Sequence, residues 1–419
     1  MNRHTRDEIG RRRFLRTAAT GAALGGAYLA SGGLADLFAL PRSASLLPAA
    51  GEGLQGRPFE MLVLGDSIMW GQGLKEEQKF SYQVAEWLRA QLPGIEVHRH
   101  VFAHSGAQIR ADPVEDAKPP KHGEVPSHFP SIIAQLETAR TAVFPLHPPL
   151  DPRSVALVLL DGGINDFGSK VIINPDPTVG RAWVRKVTRE KCVDRMKALL
   201  PRVFRTFPNA KIVVTNYFQI VSERSDMAYL WELLSVWELV GGGINAMSEW
   251  LRTKMSDQSL AFHQESTNGF REAVADVSGQ LAVGGKRAPV PGTVLEVGRL
   301  DRTPSRVALA EVPFGPDNAY GGPDTYLFYV NEPDPAASVR KPICMAQVAN
   351  ASPELPNCLL AATGHPNTRG ARAYARGITK VLERWVPDWQ ADFGVKAPKG
   401  PPVTGREALE LPRPRPLRP

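Results

Sequence analysis

The chain has 419 residues, 43% hydrophobic and 22% charged, a balance that supports a full core and excludes a disordered polyelectrolyte. Its formal charge is +7, but residues 1–50 and 390–419 together carry all of it. The body between them is neutral and indicates no basic folded face of the kind that phosphate-backbone recognition needs, so no nucleic-acid partner is expected.

Taken in chain order, Gly10-Arg11-Arg12-Arg13-Phe14-Leu15-Arg16 precedes an Ala/Gly-rich, weakly apolar stretch from Thr17 to about Leu40. A basic region, an apolar region and small residues make the layout of a signal peptide, and the arginine pair with Phe14-Leu15 resembles the twin-arginine signal. The apolar run is broken by five glycines and Asp36, which suits a cleaved leader better than a membrane span. The expected partner is the twin-arginine export machinery, and the expected location is periplasmic or extracellular. Cleavage after Ala30, Ala35, Ala44 or Ala50 is equally consistent with the sequence.

Five apolar runs are predicted as strands: Glu60–Gly65, Glu96–Ala103, Ser154–Gly162, Ala210–Phe218 and Arg306–Pro313. Helical periodicity covers Gln78–Gln91, Ser127–Arg140, Thr178–Phe207, much of Asp226–Gly279, and Thr368 to Trp385. Strands alternating with helices predict a three-layer α/β/α fold around a mostly parallel five-stranded sheet. The expected organisation is a leader and linker over 1–50, one domain over 51–389 with a helical insertion around 226–285, and a Pro/Arg-rich disordered tail over 390–419. Cys344 and Cys358 flank a Pro/Asn-rich segment with little regular pattern and form the candidate disulfide, whereas Cys192 lies on a helical pattern and is expected as a buried thiol. No CxxC, HExxH or Cys/His cluster with metal spacing occurs, so neither a metal nor another cofactor is expected.

The polar residues cluster where these strands end. The first runs into Gly65-Asp66-Ser67, the second into His104-Ser105-Gly106, the third into Gly162-Gly163-Ile164-Asn165-Asp166, and Gly364-His365-Pro366-Asn367 opens the last helix. Ligands of open α/β sheets bind beyond the carboxyl ends of the strands. A serine, a histidine and oxyanion donors at one rim are what acyl transfer requires. The blocks GDS, SG, GGIND and GHPN, in this order over residues 58–385, resemble those of the SGNH (GDSL-like) hydrolase family.

That resemblance implies a flavodoxin-like fold and a carboxylic-ester hydrolase. It makes Ser67 the nucleophile and His365 the general base, with the N–H groups of Ser67 and Gly106 and the amide of Asn165 as the oxyanion hole. The family's usual aspartate lies three residues before the histidine, where this chain has Ala362. A backbone carbonyl or a carboxylate from elsewhere, Asp317 or Glu354, would have to orient the imidazole. No GxSxG elbow occurs, which disfavours the α/β-hydrolase reading.

Asp66, His104, Asp166 and Asp317 are candidates for the pocket rim, although Asp66 and Asp166 read more simply as turn-stabilising carboxylates than as a glycosidase pair. The apolar run from Met227 to Val240, followed by Gly241-Gly242-Gly243, reads either as a lid beside an acyl groove or as a helix packed on the core. The substrate expected first is a lipid or short acyl ester. The alternatives are an O-acetylated polysaccharide and, in another class, a non-catalytic binding protein that keeps the fold.

Overall fold

The computed structural model describes residues 54–142, 150–176, 178–236, 248–282, 305–330, 332–348 and 354–395. The leader, the Gly241–Gly243 segment and residues 396–419 lie outside the described residues, whereas the start of the tail expected from residue 390 is ordered, with a helix running to Asp392 and Phe393 buried beside Phe59. The strands are β1 (Phe59–Leu64), β2 (Val97–Val101), β3 (Val155–Leu160), β4 (Lys211–Thr215) and β5 (Val307–Ala310). Every residue of β1, β3 and β4 is buried, as expected of strands covered on both faces. All pairings are parallel, in the order β2-β1-β3-β4-β5. The order reverses between β1 and β3, which places the topological switch point beside the end of β1.

The helices, in chain order, begin with α1 (Ser67–Trp70), α2 (Phe80–Gln91), α3 (Ile132–Thr141) and α4 (Ile164–Phe167). Next come α5 (Arg181–Thr188) and α6 (Asp194–Thr206), joined without a break by a π-helical turn over Arg189–Val193. The rest are α7 (Met227–Val236), α8 (Ser248–Ala282), α9 (Ala337–Gln347), α10 (Glu354–Leu359), α11 (Thr368–Leu382) and α12 (Val386–Asp392). Among the described residues no helix is long and apolar enough to cross a membrane.

Helices α2 and α11 pack together on one face of the sheet, and α3, α5, α6 and α8 pack on the other. On the first face Phe80 stacks on Tyr374 at 4.9 Å, and Phe59 meets the edge of Trp389 at 5.1 Å. Such ring pairs add about 0.5–1.5 kcal/mol beyond the area they bury. Helix α7 lays Leu230, Leu233 and Leu234 into the core, the packed-helix alternative for this segment.

Two differences from the sequence reading have local causes. The helix expected from Ser127 starts at Ile132, because Pro130 lacks an N–H and the Ser131 hydroxyl accepts the Ala134 N–H at 3.1 Å as an N-cap. The segment around the cysteines, read as irregular, carries α9 and α10 despite Pro342 and Pro356 within them. Cys344 and Cys358 are joined in a disulfide that ties these two helices, and Cys192 is free and buried.

Candidate active site

The end of β1 is held by groups that the sequence did not single out. The Gln135 amide closes on both backbone groups of Gly65, accepting its N–H and donating to its carbonyl at 2.9 Å each. Gly65 has φ +155°, and a Cβ there would lie 1.9 Å from Asp161 Oδ1, so only glycine fits. Asp161 Oδ1 accepts the Asp66 N–H at 2.9 Å, and Asp66 accepts the Ile68 N–H at 2.9 Å as N-cap of α1. The Tyr217 hydroxyl donates to the other Asp66 oxygen at 2.6 Å. Burial raises Asp66 to about 6 and, with the Asp66 charge beside it, pushes Asp161 well above the carboxylate range, so the two buried carboxyls resist ionising together.

Ser67 therefore opens α1 on a rigid base, and its Oγ lies 2.7 Å from His365 Nε2, across 298 residues of chain. His365 arrives on a short antiparallel bridge between Leu327 and Pro366, where Phe328 N–H donates to the His365 carbonyl at 2.9 Å and Gly364 N–H to the Phe328 carbonyl at 2.9 Å. Burial lowers the imidazole pKa to about 4, against the carbonyls of Thr363, Ala362 and Ala361, which favour its proton, while the Arg340 charge lowers it further. Nδ1 is buried and makes no well-aligned hydrogen bond. Ala362 packs beside Gly73 instead of presenting a carboxylate. Neither alternative carboxylate bonds the ring: Asp317 pairs with Arg224 at 2.9 Å, and Glu354 starts α10.

The second and third strand ends converge on the same rim. Gly106 has φ +82°, and a Cβ there would come within 2.7 Å of Ser127 N, so the turn admits glycine alone. Asn165, in α4, donates its side-chain amide to the Ala107 carbonyl at 3.0 Å, which ties the two strand ends together. The N–H groups of Ser67 and Gly106 have no protein acceptor among the described residues. Serine, histidine and these donors can thus supply a nucleophile, a neutral base and an oxyanion cradle.

The rim candidates divide. Asp66 is fully buried under α1, and the Asp166 carboxylate, equally buried, accepts the Ile109 N–H at 2.8 Å and pairs with Arg195. His104 is buried, with its ring nitrogens 2.9 Å from the Ser105 and Lys121 carbonyls. These three brace the strand ends from beneath, because backbone groups and, for the two aspartates, Tyr217 and Arg195 occupy their polar atoms. Asp317 is exposed and engaged by Arg224.

A buried ionic cluster backs the site. Glu124 accepts from Trp70 Nε1 at 2.9 Å, from Gln72 at 2.8 Å and from Arg340 at 3.3 Å. Arg340 also pairs with Asp334 and donates to the Leu359 carbonyl at 3.2 Å. One network thereby joins α1, α9 and the loop that leads to His365. No local spacing announces it, since Glu124 and Arg340 alone lie 216 residues apart.

Sheet order and the four blocks at the carboxyl edge are those that the SGNH resemblance implies. Solved structures similar to the chain include the extracellular lipase of Streptomyces rimosus, with 14% identity, a TM-score of 0.41, and coverage of 78% of this chain and 99% of that one. Phospholipase A1 from Streptomyces albidoflavus NA297 matches with 13% identity, a TM-score of 0.40 and the same coverage of both chains. A family two carbohydrate esterase from Clostridium thermocellum, solved with cellohexaose, matches with 14% identity, a TM-score of 0.32, and 82% and 67% coverage. No protein-family model and no curated protein matches the sequence.

Proposed function

We propose that the chain is an exported SGNH-type serine esterase that hydrolyses carboxylic esters through an acyl-enzyme on Ser67. The observation that carries this reading is the 2.7 Å contact between Ser67 Oγ and His365 Nε2 at the switch point of a parallel sheet. In the first step Ser67 Oγ attacks the ester carbonyl while Nε2 takes its proton. The N–H groups of Ser67 and Gly106 and the Asn165 amide hold the oxyanion, and the proton passes from Nε2 to the leaving alkoxide. Water, activated by the same nitrogen, then releases the acid. With no carboxylate partner, the facing carbonyls of residues 361–363 and the packing around the ring set its orientation.

Lipid or short acyl esters are the substrates proposed first, with an O-acetylated polysaccharide second. Export rests on the twin-arginine-like leader and is supported by the disulfide, which persists in oxidising compartments. The missing acid partner of His365 favours one rival, a binding protein that retains the fold.

Hydrolysis of p-nitrophenyl acetate and octanoate by the wild type and by Ser67→Ala decides between them. Turnover lost in the variant is expected, and the chain-length ratio separates acyl-chain from acetyl specificity. Turnover that survives in Ser67→Ala refutes the mechanism, and a folded wild type inert on every ester supports the rival.

A further inference from the structure

Away from the Ser67 edge, the structure brings together three residues that the sequence reading passed over. Glu60 on β1 is the register partner of His98 on β2, and His100 follows two residues later, so all three side chains stand on one face of the sheet. Glu60 Oε1 lies 3.2 Å from His98 Nδ1, and Oε2 lies 2.5 Å from His100 Nε2. One ligand atom from each residue falls within 4.8 Å of the others. The side chains are 9–12% exposed, which leaves a small opening to solvent. At that opening Glu96, 76% exposed, brings Oε1 to 3.0 Å from His98 Nε2.

The cluster sets one carboxylate between two imidazoles, within hydrogen-bond reach of both. Two imidazoles and one carboxylate with open positions suit first-row divalent ions, zinc foremost at neutral pH, and suit magnesium or calcium poorly. Glu60 is four residues short of the end of β1, roughly 13 Å at 3.3 Å per residue, so the cluster is separate from the Ser67 rim.

We propose that Glu60, His98 and His100 form a zinc-binding site that clamps edge strand β2 to β1. Water or the Glu96 carboxylate completes the coordination. His-x-His puts two imidazoles on one face of a strand, a metal spacing unlike the CxxC and HExxH patterns of turns and helices. The clamp acts where the sheet has an unpaired edge, and its role is structural, independent of the proposed esterase.

The test uses the full chain, stripped with chelator and shown folded by circular dichroism. Titration with zinc followed by calorimetry is expected to give one saturable equivalent, and cobalt is expected to give the visible absorption of a four- or five-coordinate site. Zinc is expected to raise the Tm. His98→Gln and His100→Gln, each folded without metal, are expected to bind zinc more than about tenfold more weakly and to lose the Tm rise. A folded wild type that binds no zinc overturns the proposal, as does binding that both variants leave unchanged.

Discussion

At the scale of single residues, the base of the site depends on where its proton is stable. An exposed histidine titrates near 6.5, whereas burial holds His365 at about 4. A base must be unprotonated to accept the serine proton, so kcat/KM should fall only as the pH drops through about 4, with no break near 6.5. Initial rates on p-nitrophenyl acetate from about pH 3 to 8 check this, and an acid limb near 6.5 would show a ring open to water. Ala362 belongs to the same account. A carboxylate at that position would raise the imidazole pKa, whereas an alanine packed beside Gly73 leaves burial to set it.

At the scale of elements, the disulfide and the buried arginine do one job. Cys344 and Cys358, 14 residues apart, tie α9 to α10, and Arg340 of α9 reaches both Glu124 and the carbonyl of Leu359. On chain-entropy grounds the crosslink is worth about 3 kcal/mol. Cys344→Ser with Cys358→Ser should lower the denaturation free energy by about that amount, while reducing agent should leave the variant's melting curve unchanged. A variant as stable as the oxidised wild type would show that the ionic cluster holds these helices alone.

Three of the five strands were legible because near-continuous apolar runs such as Val155–Leu160, set between helical patterns, fit a doubly covered sheet. Ser67, Gly106, Asn165 and His365 were legible because each closes a strand or opens a helix. Arg340, Glu124, Gln135 and Asp161 were not, since a buried polar group is defined by partners distant in sequence. Helices α9 and α10 were missed because prolines within them masked the periodicity.

At the scale of the molecule, buried charge makes stability depend on pH. Burial, reinforced by the Asp66 charge, raises the folded pKa of Asp161 above the ordinary carboxylate value, so the folded protein binds a proton there more tightly than the unfolded chain does. Unfolding thus releases a proton, and raising the pH above the ordinary value of 3.8 favours the unfolded chain. An asparagine there would keep an acceptor for the Asp66 N–H and carry no charge at any pH. Asp161→Asn should therefore gain stability relative to wild type as the pH rises from about 5 to 8. Melting curves of the two proteins that stay parallel over that range would count against a proton held on Asp161.

The π turn at Arg189–Val193 separates what the fold needs from what the rim needs. A π turn absorbs one extra residue without rotating the helix on either side of it, so it behaves as a tolerated insertion. The residue it accommodates brings Cys192 under the third strand end, where its thiol donates to the Gly163 carbonyl at 2.9 Å, two residues before Asn165. Deleting Cys192 should leave α5 and α6 on their present faces, with Met196, Leu199, Leu200 and Val203 still in the core. The shortened chain should keep its fold at a reduced Tm, since Cys192 is fully buried in the core, and lose turnover with the support of the Asn165 turn. Such a deletion would divide folding from chemistry at one residue, and an unfolded product would show that the extra residue serves the core as well.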